Sequence, residues 1–259
     1  KKQLSVLFVH NVDEARAAEE AGIDMICTSH DAPQFGIYCS FDELKRIREA
    51  APSCFMQSGT ASNIASEYDA MKASHKYLEI GADVIYGGNW SYKIIRGLRD
   101  ENIPINSHVG LVPGKATWIG GFRAIGKTAN EAVWVLKHTL ELQEAGAIGV
   151  ELEVVPPKVA EVITKKVEIM TLSMGSGSGC DGQYLFGNDV LGYTEGHMPR
   201  HARVYKNFKK EFARLQEERV SAFKEFHKDT IEKKFNDPKI TVGIEDSEFE
   251  KFLELAEKV

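Results

Sequence analysis

Short apolar runs in this chain hand over, one after another, to residues that can do chemistry. Residues 23–28 lead into Ser29-His30-Asp31, and residues 53–56 lead into Gln57-Ser58. Tyr86-Gly87-Gly88-Asn89-Trp90 follow a third run, and Ser107-His108 close a fourth. Glu151 and Glu153 close a fifth, and Gly175-Ser176-Gly177-Ser178-Gly179 follow a sixth. Carboxylates, imidazoles, an amide and a phenol gathered in this way would line a pocket for a small molecule. His30 and Asp31 could coordinate a divalent ion or hydrogen-bond a ligand. One imidazole and one carboxylate are an incomplete set for Mg²⁺, which prefers hard oxygen ligands. His108 reads as an imidazole that orients its loop. The Gly-Ser run could cradle a phosphate through backbone N–H groups, but a glycine-rich run alone is a weak signal. His197 and His201 have the spacing of helical metal ligands, yet Pro199 between them breaks the geometry, so a zinc site is set aside.

A rhythm of strand and helix must position these residues. Residues 4–9 read as a first strand, and residues 13–21 as a helix that ends at Gly22. Ser40 with Glu43 has the form of a capping box for the helix over 41–51. The pattern of helix, glycine, apolar strand recurs at Ala21-Gly22, Ile80-Gly81 and Ala145-Gly146. Further strands are read over 83–86, 103–108, 148–154, 169–174 and 183–186, with helices over 66–80, 91–101, 130–145 and 158–166. The strands recur roughly every 25 residues. Short connections from helix to strand favour right-handed βαβ units and a parallel sheet. Eight such units predict an α/β fold closed into a (β/α)8 TIM barrel, with an open doubly wound sheet as the competitor. The barrel core is read as residues 1–201. Residues 202–259 are read as a C-terminal helical extension packed on the barrel. Its long amphipathic helix over 202–234 carries Phe208, Phe212, Leu215, Val220 and Phe223. Asn236-Asp237-Pro238 ends that helix, and a last short one covers 247–258.

Composition narrows the function. The chain has 259 residues and a formal net charge of −6. An acidic balance argues against nucleic acid and anionic membranes, which both demand a basic face. No apolar stretch reaches the length of a membrane span. The segment from Lys1 to His10 imitates a leader but lacks a small-residue cleavage site. Cys27, Cys39, Cys54 and Cys180 form no C-x-x-C pair, which predicts reduced thiols and a cytoplasmic setting.

The second half of the chain carries a specific resemblance. His108-Val109-Gly110-Leu111-Val112-Pro113 resembles the H-(I/V)-G-L-x-P segment of the ketopantoate hydroxymethyltransferases. Gly120-Gly121-Phe122-Arg123 through Gly126-Lys127 is similar to their G-G-(F/Y)-(K/R)-x-x-G-(K/R) loop. Glu144-Ala145-Gly146-Ala147 and Leu152-Glu153-Val154-Val155-Pro156 resemble E-A-G-A and L-E-x-V-P. Gly175-Ser176-Gly177 with Cys180-Asp181-Gly182-Gln183 follows G-x-G-x-x-C-D-G-Q, and Asp189-Val190-Leu191-Gly192 follows D-(L/V)-L-G. These motifs stand in the family's order and cover residues 104–205.

The resemblance implies an enzyme of pantothenate biosynthesis, a hydroxymethyltransferase that forms a C–C bond by aldol-type chemistry. The hydroxymethyl group passes from methylenetetrahydrofolate to a 2-oxo acid such as 3-methyl-2-oxobutanoate. Glu153 would be the base that takes a proton from C3, with Mg²⁺ or another divalent metal holding the oxo acid. His30, Asp31, Gln57, Tyr86 and His108 would bind the substrate, and Asp31 would be the candidate metal ligand. A homo-oligomer is expected from the family and from the Phe-rich helix.

The first half departs from the pattern. Where the family has V-G-D-S, with its metal Asp, this chain has Thr28-Ser29-His30-Asp31. An ungapped match puts His30 on that Asp; a shift by one lets Asp31 serve. Gln57 falls on the second metal Asp, and Ile85-Tyr86-Gly87-Gly88 replaces V-K-L-E, which supplies a substrate Lys and an acidic residue. Two other readings therefore stand beside the first. One is a divergent aldolase or lyase of the phosphoenolpyruvate/isocitrate-lyase type of barrel, acting on another oxo acid. The other is a non-catalytic binding protein on the same scaffold.

Overall fold

Eight parallel strands close into a barrel in sequence order, each paired with its chain neighbours and the last with the first, in a computed structural model that describes residues 2–30, 37–60 and 64–259. The strands are β1 (Leu4–Phe8), β2 (Met25–Ser29), β3 (Phe55–Gly59), β4 (Val84–Tyr86), β5 (Ile105–Gly110), β6 (Gly149–Glu153), β7 (Met170–Met174) and β8 (Gly182–Phe186). Between them lie α1 (Val12–Glu20), α2 (Phe41–Ala50), α3 (Glu67–Glu79), α4 (Tyr92–Asp100), α5 (Ala129–Ala145) and α6 (Pro157–Lys166), and α7 (Gly187–Leu191) follows β8. This is the expected (β/α)8 barrel. The chain divides into two compact units, one ending at Lys206 and the other Asn207–Val259. The second unit contains α8 (Phe208–Ile231) and α9 (Asp246–Ala256), neither with a buried residue. No helix among the described residues is long and apolar enough to cross a membrane.

The helix ends show why the rhythm is so regular. Gly22 and Gly81 both take positive φ, +70° and +90°, the left-handed conformation that suits glycine. In each case the next residue's N–H reaches back to the last turn: Ile23 to the Ala18 carbonyl and Ala82 to that of Tyr77, both at 3.0 Å. Ala147 makes the same bond to Leu142 after Gly146. This closes orphan carbonyls and turns the chain at once into the next strand. Asn102, at φ +60°, does the same after α4 and lets the Ile103 N–H reach the Leu98 carbonyl. That bond and the missing N–H of Pro104 delay β5 to Ile105, two residues after the expected start. The expected loop to Lys127 contains a 3-10 turn over Pro113–Ile119.

The core follows strand periodicity. Alternate residues face opposite sides of a strand. Met56, Ile85, Val150 and Leu152 are fully buried, while Gln57, Glu151 and Glu153 take the alternate positions on β3 and β6. Burying each large aliphatic side chain stabilises the fold by roughly 1.5–3 kcal/mol. The polar positions inside the barrel have to be stabilised by their own partners.

Candidate active site

Glu153 is the last residue of β6, and the backbone around it is tightly determined. On the neighbouring strand, Gly110 takes φ +85°, and a Cβ there would lie 2.3 Å from the Glu153 carbonyl oxygen. Only glycine allows β5 to come that close. The next residue, Val154, has φ +50°. A β-branched residue rarely adopts this conformation, which costs of order 1–3 kcal/mol. The surroundings hold it there. Val154 N–H donates to Met174 O at 2.8 Å, and Val155 N–H donates to Ser176 Oγ at 3.0 Å. Ser176 in turn donates to Leu152 O at 2.7 Å. Ser176 of the Gly-Ser run is therefore fully buried and engaged with the β6 turn.

The side chains inside the barrel form a connected polar network. Asn106 Nδ2 donates to Gln57 Oε1 at 2.5 Å, and Gln57 Nε2 donates to Glu151 Oε1 at 2.7 Å. β3 and β6 are not neighbours in the barrel, so this last bond crosses its interior. His108 lies between two carboxylates, with Nδ1 3.7 Å from Glu151 Oε2 and Nε2 3.1 Å from Glu153 Oε2. The Tyr86 hydroxyl lies 2.8 Å from His108 Nδ1. Gly88 makes room for it, because a Cβ there would stand 2.3 Å from the Tyr86 hydroxyl oxygen. Tyr86 and Gly88 are thus a matched pair. The phenol folds back into the space that a side chain at position 88 would take.

Electrostatics separate these groups. Burial pushes the Glu151 carboxyl up to about 7, against the pull of His108 and of the Gln57 hydrogen bond. Burial also disfavours a charged His108. The close approach of Glu153 and the charges of Glu151 and Glu153 outweigh it and lift His108 above the usual histidine value. Burial, followed by the two carboxylates, holds Tyr86 well above the ordinary tyrosine range, so it stays protonated. In the neutral imidazole the phenol donates to Nδ1, which leaves the hydrogen on Nε2, the ring nitrogen that lies 3.1 Å from a Glu153 oxygen. Glu153 keeps 9% of its surface exposed against 2% for Glu151, so of the two it is the one that can meet a substrate.

Four of the expected site residues thus come together: Gln57, Tyr86, His108 and Glu153. His30 does not join them. Its ring stacks on Phe41 with centroids 4.3 Å apart, and its N–H donates to Gly59 O at 3.0 Å. Asp31 lies outside the described residues. Asn106 and Lys115 enter the picture only with the structure, and Glu151, in the sequence only a strand-end carboxylate, gains its partners there. Lys115, on the 3-10 turn after β5, is half-buried, has no ion pair among the described residues, and its charge opposes that of His108. Burial lowers its pKa. A cavity of about 140 Å³ opens beside the ends of β1 and β2, lined by Phe8, His10, Thr28 and Tyr38 among others.

The fit of a divalent metal can be tested on these groups. Among the described residues no three of His, Cys, Asp and Glu come together as a metal site. Gln57, at the position of the family's second metal Asp, has both ends of its amide engaged by Asn106 and Glu151. The described residues do not form an oxygen-rich Mg²⁺ site.

Comparison with known proteins agrees with the barrel and its motifs. Residues 50–238 match the family described as ketopantoate hydroxymethyltransferase. A 3-methyl-2-oxobutanoate hydroxymethyltransferase of Methylibium petroleiphilum is 36% identical, covering 96% of this chain and 87% of that protein. One from Thermus thermophilus is 32% identical, covering 86% and 89%. Among solved structures, a phosphonopyruvate hydrolase complexed with oxalate and Mg²⁺ has a TM-score of 0.51 and 11% identity, covering 99% of this chain and 92% of that one. At that identity the likeness shows the fold alone.

Proposed function

Because the chain belongs to the ketopantoate hydroxymethyltransferase family, we propose that it transfers a hydroxymethyl group to C3 of a 2-oxo acid such as 3-methyl-2-oxobutanoate. Methylenetetrahydrofolate supplies the one-carbon unit when bound. The observation that carries this reading is Glu153 itself. It is a strand-end carboxylate in the family's L-E-x-V-P segment, held by a strained turn, with an imidazole 3.1 Å away. Active sites of these barrels lie at the C-terminal ends of the strands. Glu153 takes the C3 proton, and the electron pair left on carbon forms the new C–C bond to the one-carbon unit. That carbon's two bonds to the folate nitrogens are replaced by the bond to C3 and one to the oxygen of a water, and the nitrogens take up the C3 proton and the proton the water gives up. His108 orients the carboxylate and shares its proton through Nε2. Tyr86 fixes the imidazole from the other side. Lys115 is proposed to receive the carboxylate of the oxo acid, since Tyr86 stands where the family has its substrate lysine. The buried thiols suit a reducing, cytoplasmic setting.

The test is exchange of the C3 hydrogen of 3-methyl-2-oxobutanoate into deuterated water. Exchange catalysed by the protein supports the base, and its absence removes the reading. The replaced metal position favours a second reading, a lyase or aldolase on another oxo acid. Dependence of product formation on methylenetetrahydrofolate separates the two.

A further inference from the structure

Glu151 lies outside the L-E-x-V-P segment, yet it is as enclosed as His108, each 2% exposed. It precedes Glu153 by two residues on β6, so both carboxylates point into the barrel. Its two oxygens face different partners. Oε1 accepts from Gln57 Nε2 at 2.7 Å, and Oε2 lies 3.7 Å from His108 Nδ1. The first contact is oriented from behind. Asn106 donates to the Gln57 carbonyl oxygen, so the amide NH₂ must turn to Glu151. A carboxylate at position 57 would have repelled Glu151, while the neutral amide donates to it. Gln57 and Glu151 therefore suit one another. The second contact is too long for a strong hydrogen bond. It acts as a charge–charge interaction in an interior where such forces are poorly screened.

We propose that Glu151 is a positioning residue for Glu153: through His108 it governs the charge and orientation of the imidazole and so sets the pH range over which Glu153 works as a base. This rests on the proposed abstraction of the C3 proton. The groups that face Glu151 leave His108 as its cationic partner. Cys27 on β2, Tyr86 on β4 and Tyr184 on β8 are held neutral, their pKa values raised first by burial and then by neighbouring charges, Glu151 among them. Gln57 on β3 is uncharged. Glu153, on the same strand, repels Glu151. The charge of Lys115 opposes the protonation of His108. Among the described residues the protonation of His108 is thus balanced between two carboxylates that favour it and burial and a lysine that do not.

The experiment follows His108 and the reaction together, on the full chain. Nitrogen-15 NMR of labelled histidine reads the His108 titration in the wild type, in Glu151→Gln and in the conservative Glu151→Asp. Deuterium exchange at C3 of 3-methyl-2-oxobutanoate is recorded against pH on the same proteins. Removing the Glu151 charge takes away a force that raises the His108 pKa. Its midpoint should therefore fall by roughly one to three pH units in Glu151→Gln. The pH profile of kcat should move in the same direction, while KM stays within about threefold. Glu151→Asp should restore part of both shifts. An unmoved His108 midpoint in folded Glu151→Gln overturns the proposal, and so does a moved midpoint with an unmoved kcat profile. If the wild type shows no exchange at all, the oxo-acid reading falls, while a moved midpoint still supports the hold of Glu151 on His108. Should Glu151→Gln fail to fold, carbon-13 titration of the wild-type glutamate carboxyls carries the test. The Glu151 signal should then respond as His108 titrates, and a Glu151 signal indifferent to His108 rejects the coupling.

Discussion

At the N-terminal ends of the strands, Asp24, Asp83 and Asp181 stand just before β2, β4 and β8. Each accepts a backbone N–H from the second residue of the preceding strand: Ser5, Met56 and Thr171, at 2.9, 2.8 and 3.1 Å. At the C-terminal ends, Glu151 and Glu153 have no such backbone donor to their carboxylates among the described residues. Their partners are His108 and Gln57. A carboxylate satisfied by main chain joins two strands. One satisfied by an imidazole can exchange a proton. The lower end of this barrel therefore uses acids as fasteners, and the upper end keeps them available for chemistry.

The sharpest way to break this comparison is Glu153→Gln. The swap keeps shape and removes basicity, so C3 exchange should fall on the order of 10²–10⁴-fold, with an unchanged circular dichroism spectrum. A variant that still exchanges at the wild-type rate would show that the upper acids are fasteners too.

The two ends should also answer pH in opposite directions. Glu151 is shifted from its ordinary 4.5 to about 7 in the fold. The folded state then binds more protons than the unfolded chain between these values, so stability falls as pH rises through that window. The shift corresponds to roughly 3 kcal/mol. His108, also raised, adds a loss as pH climbs through its folded value. Asp24 is held well below its ordinary 3.8 by the Ser5 N–H, Lys2 and the Ser5 hydroxyl. Its contribution is complete at neutral pH and disappears only as strong acid protonates it. Urea unfolding against pH should therefore show a maximum in mild acid, and Glu151→Gln should flatten the neutral limb alone.

Lys115→Met probes the upper end from the substrate side. A lost charge-assisted contact of roughly 1.5–3 kcal/mol raises KM for the oxo acid about 10- to 100-fold. The kcat for C3 exchange should change far less. A kcat loss with an unchanged KM would place Lys115 against His108 rather than the substrate.

How much of this was legible beforehand differs between the two ends. Two of the fasteners, Asp24 and Asp83, belong to the repeated helix–glycine–strand pattern, which is local, and local patterns are readable. Gly22 and Gly81 marked helix ends correctly because a left-handed cap favours glycine. The cap at Asn102 escaped notice because asparagine is a weaker signal for the same conformation, and β5 was accordingly begun too early. The tail helix was read over 202–234 and runs Phe208–Ile231, because Asn207 accepts from the Lys210 N–H and caps it there. At the upper end, the family motifs and strand ends pointed to Glu153, His108, Gln57 and Tyr86. Their pairing was not readable. Gln57 and Glu151 are 94 residues apart and meet only across the closed barrel. Parity puts Glu151 and Glu153 on one face, but depth, which separates their roles, is a property of the closed barrel.

The mildest test is Asp83→Ala at the lower end. Asp83 accepts from Met56 N–H at 2.8 Å and pairs with Arg48 at 3.3 Å. Its side chain is 42% exposed, so water can take over much of what is lost. Arg48 also keeps its bond to the Ala51 carbonyl. The expected cost is therefore near the low end for a broken hydrogen bond, about 1 kcal/mol. For a chain of this size that lowers Tm by roughly 2–4 °C. Met56 adjoins Gln57 on β3 but faces the other side of the strand, and Gln57 is held by Asn106 and Glu151 rather than by Asp83. Tm should fall while the C3 exchange rate at 25 °C remains within about twofold of wild type, since surface changes away from the chemistry act on stability alone. Differential scanning calorimetry and the exchange assay, run on one preparation, measure both. A rate that drops with Tm would mean that the fastener and the base are coupled through β3 and Gln57, and the division of labour between the two ends would have to be given up.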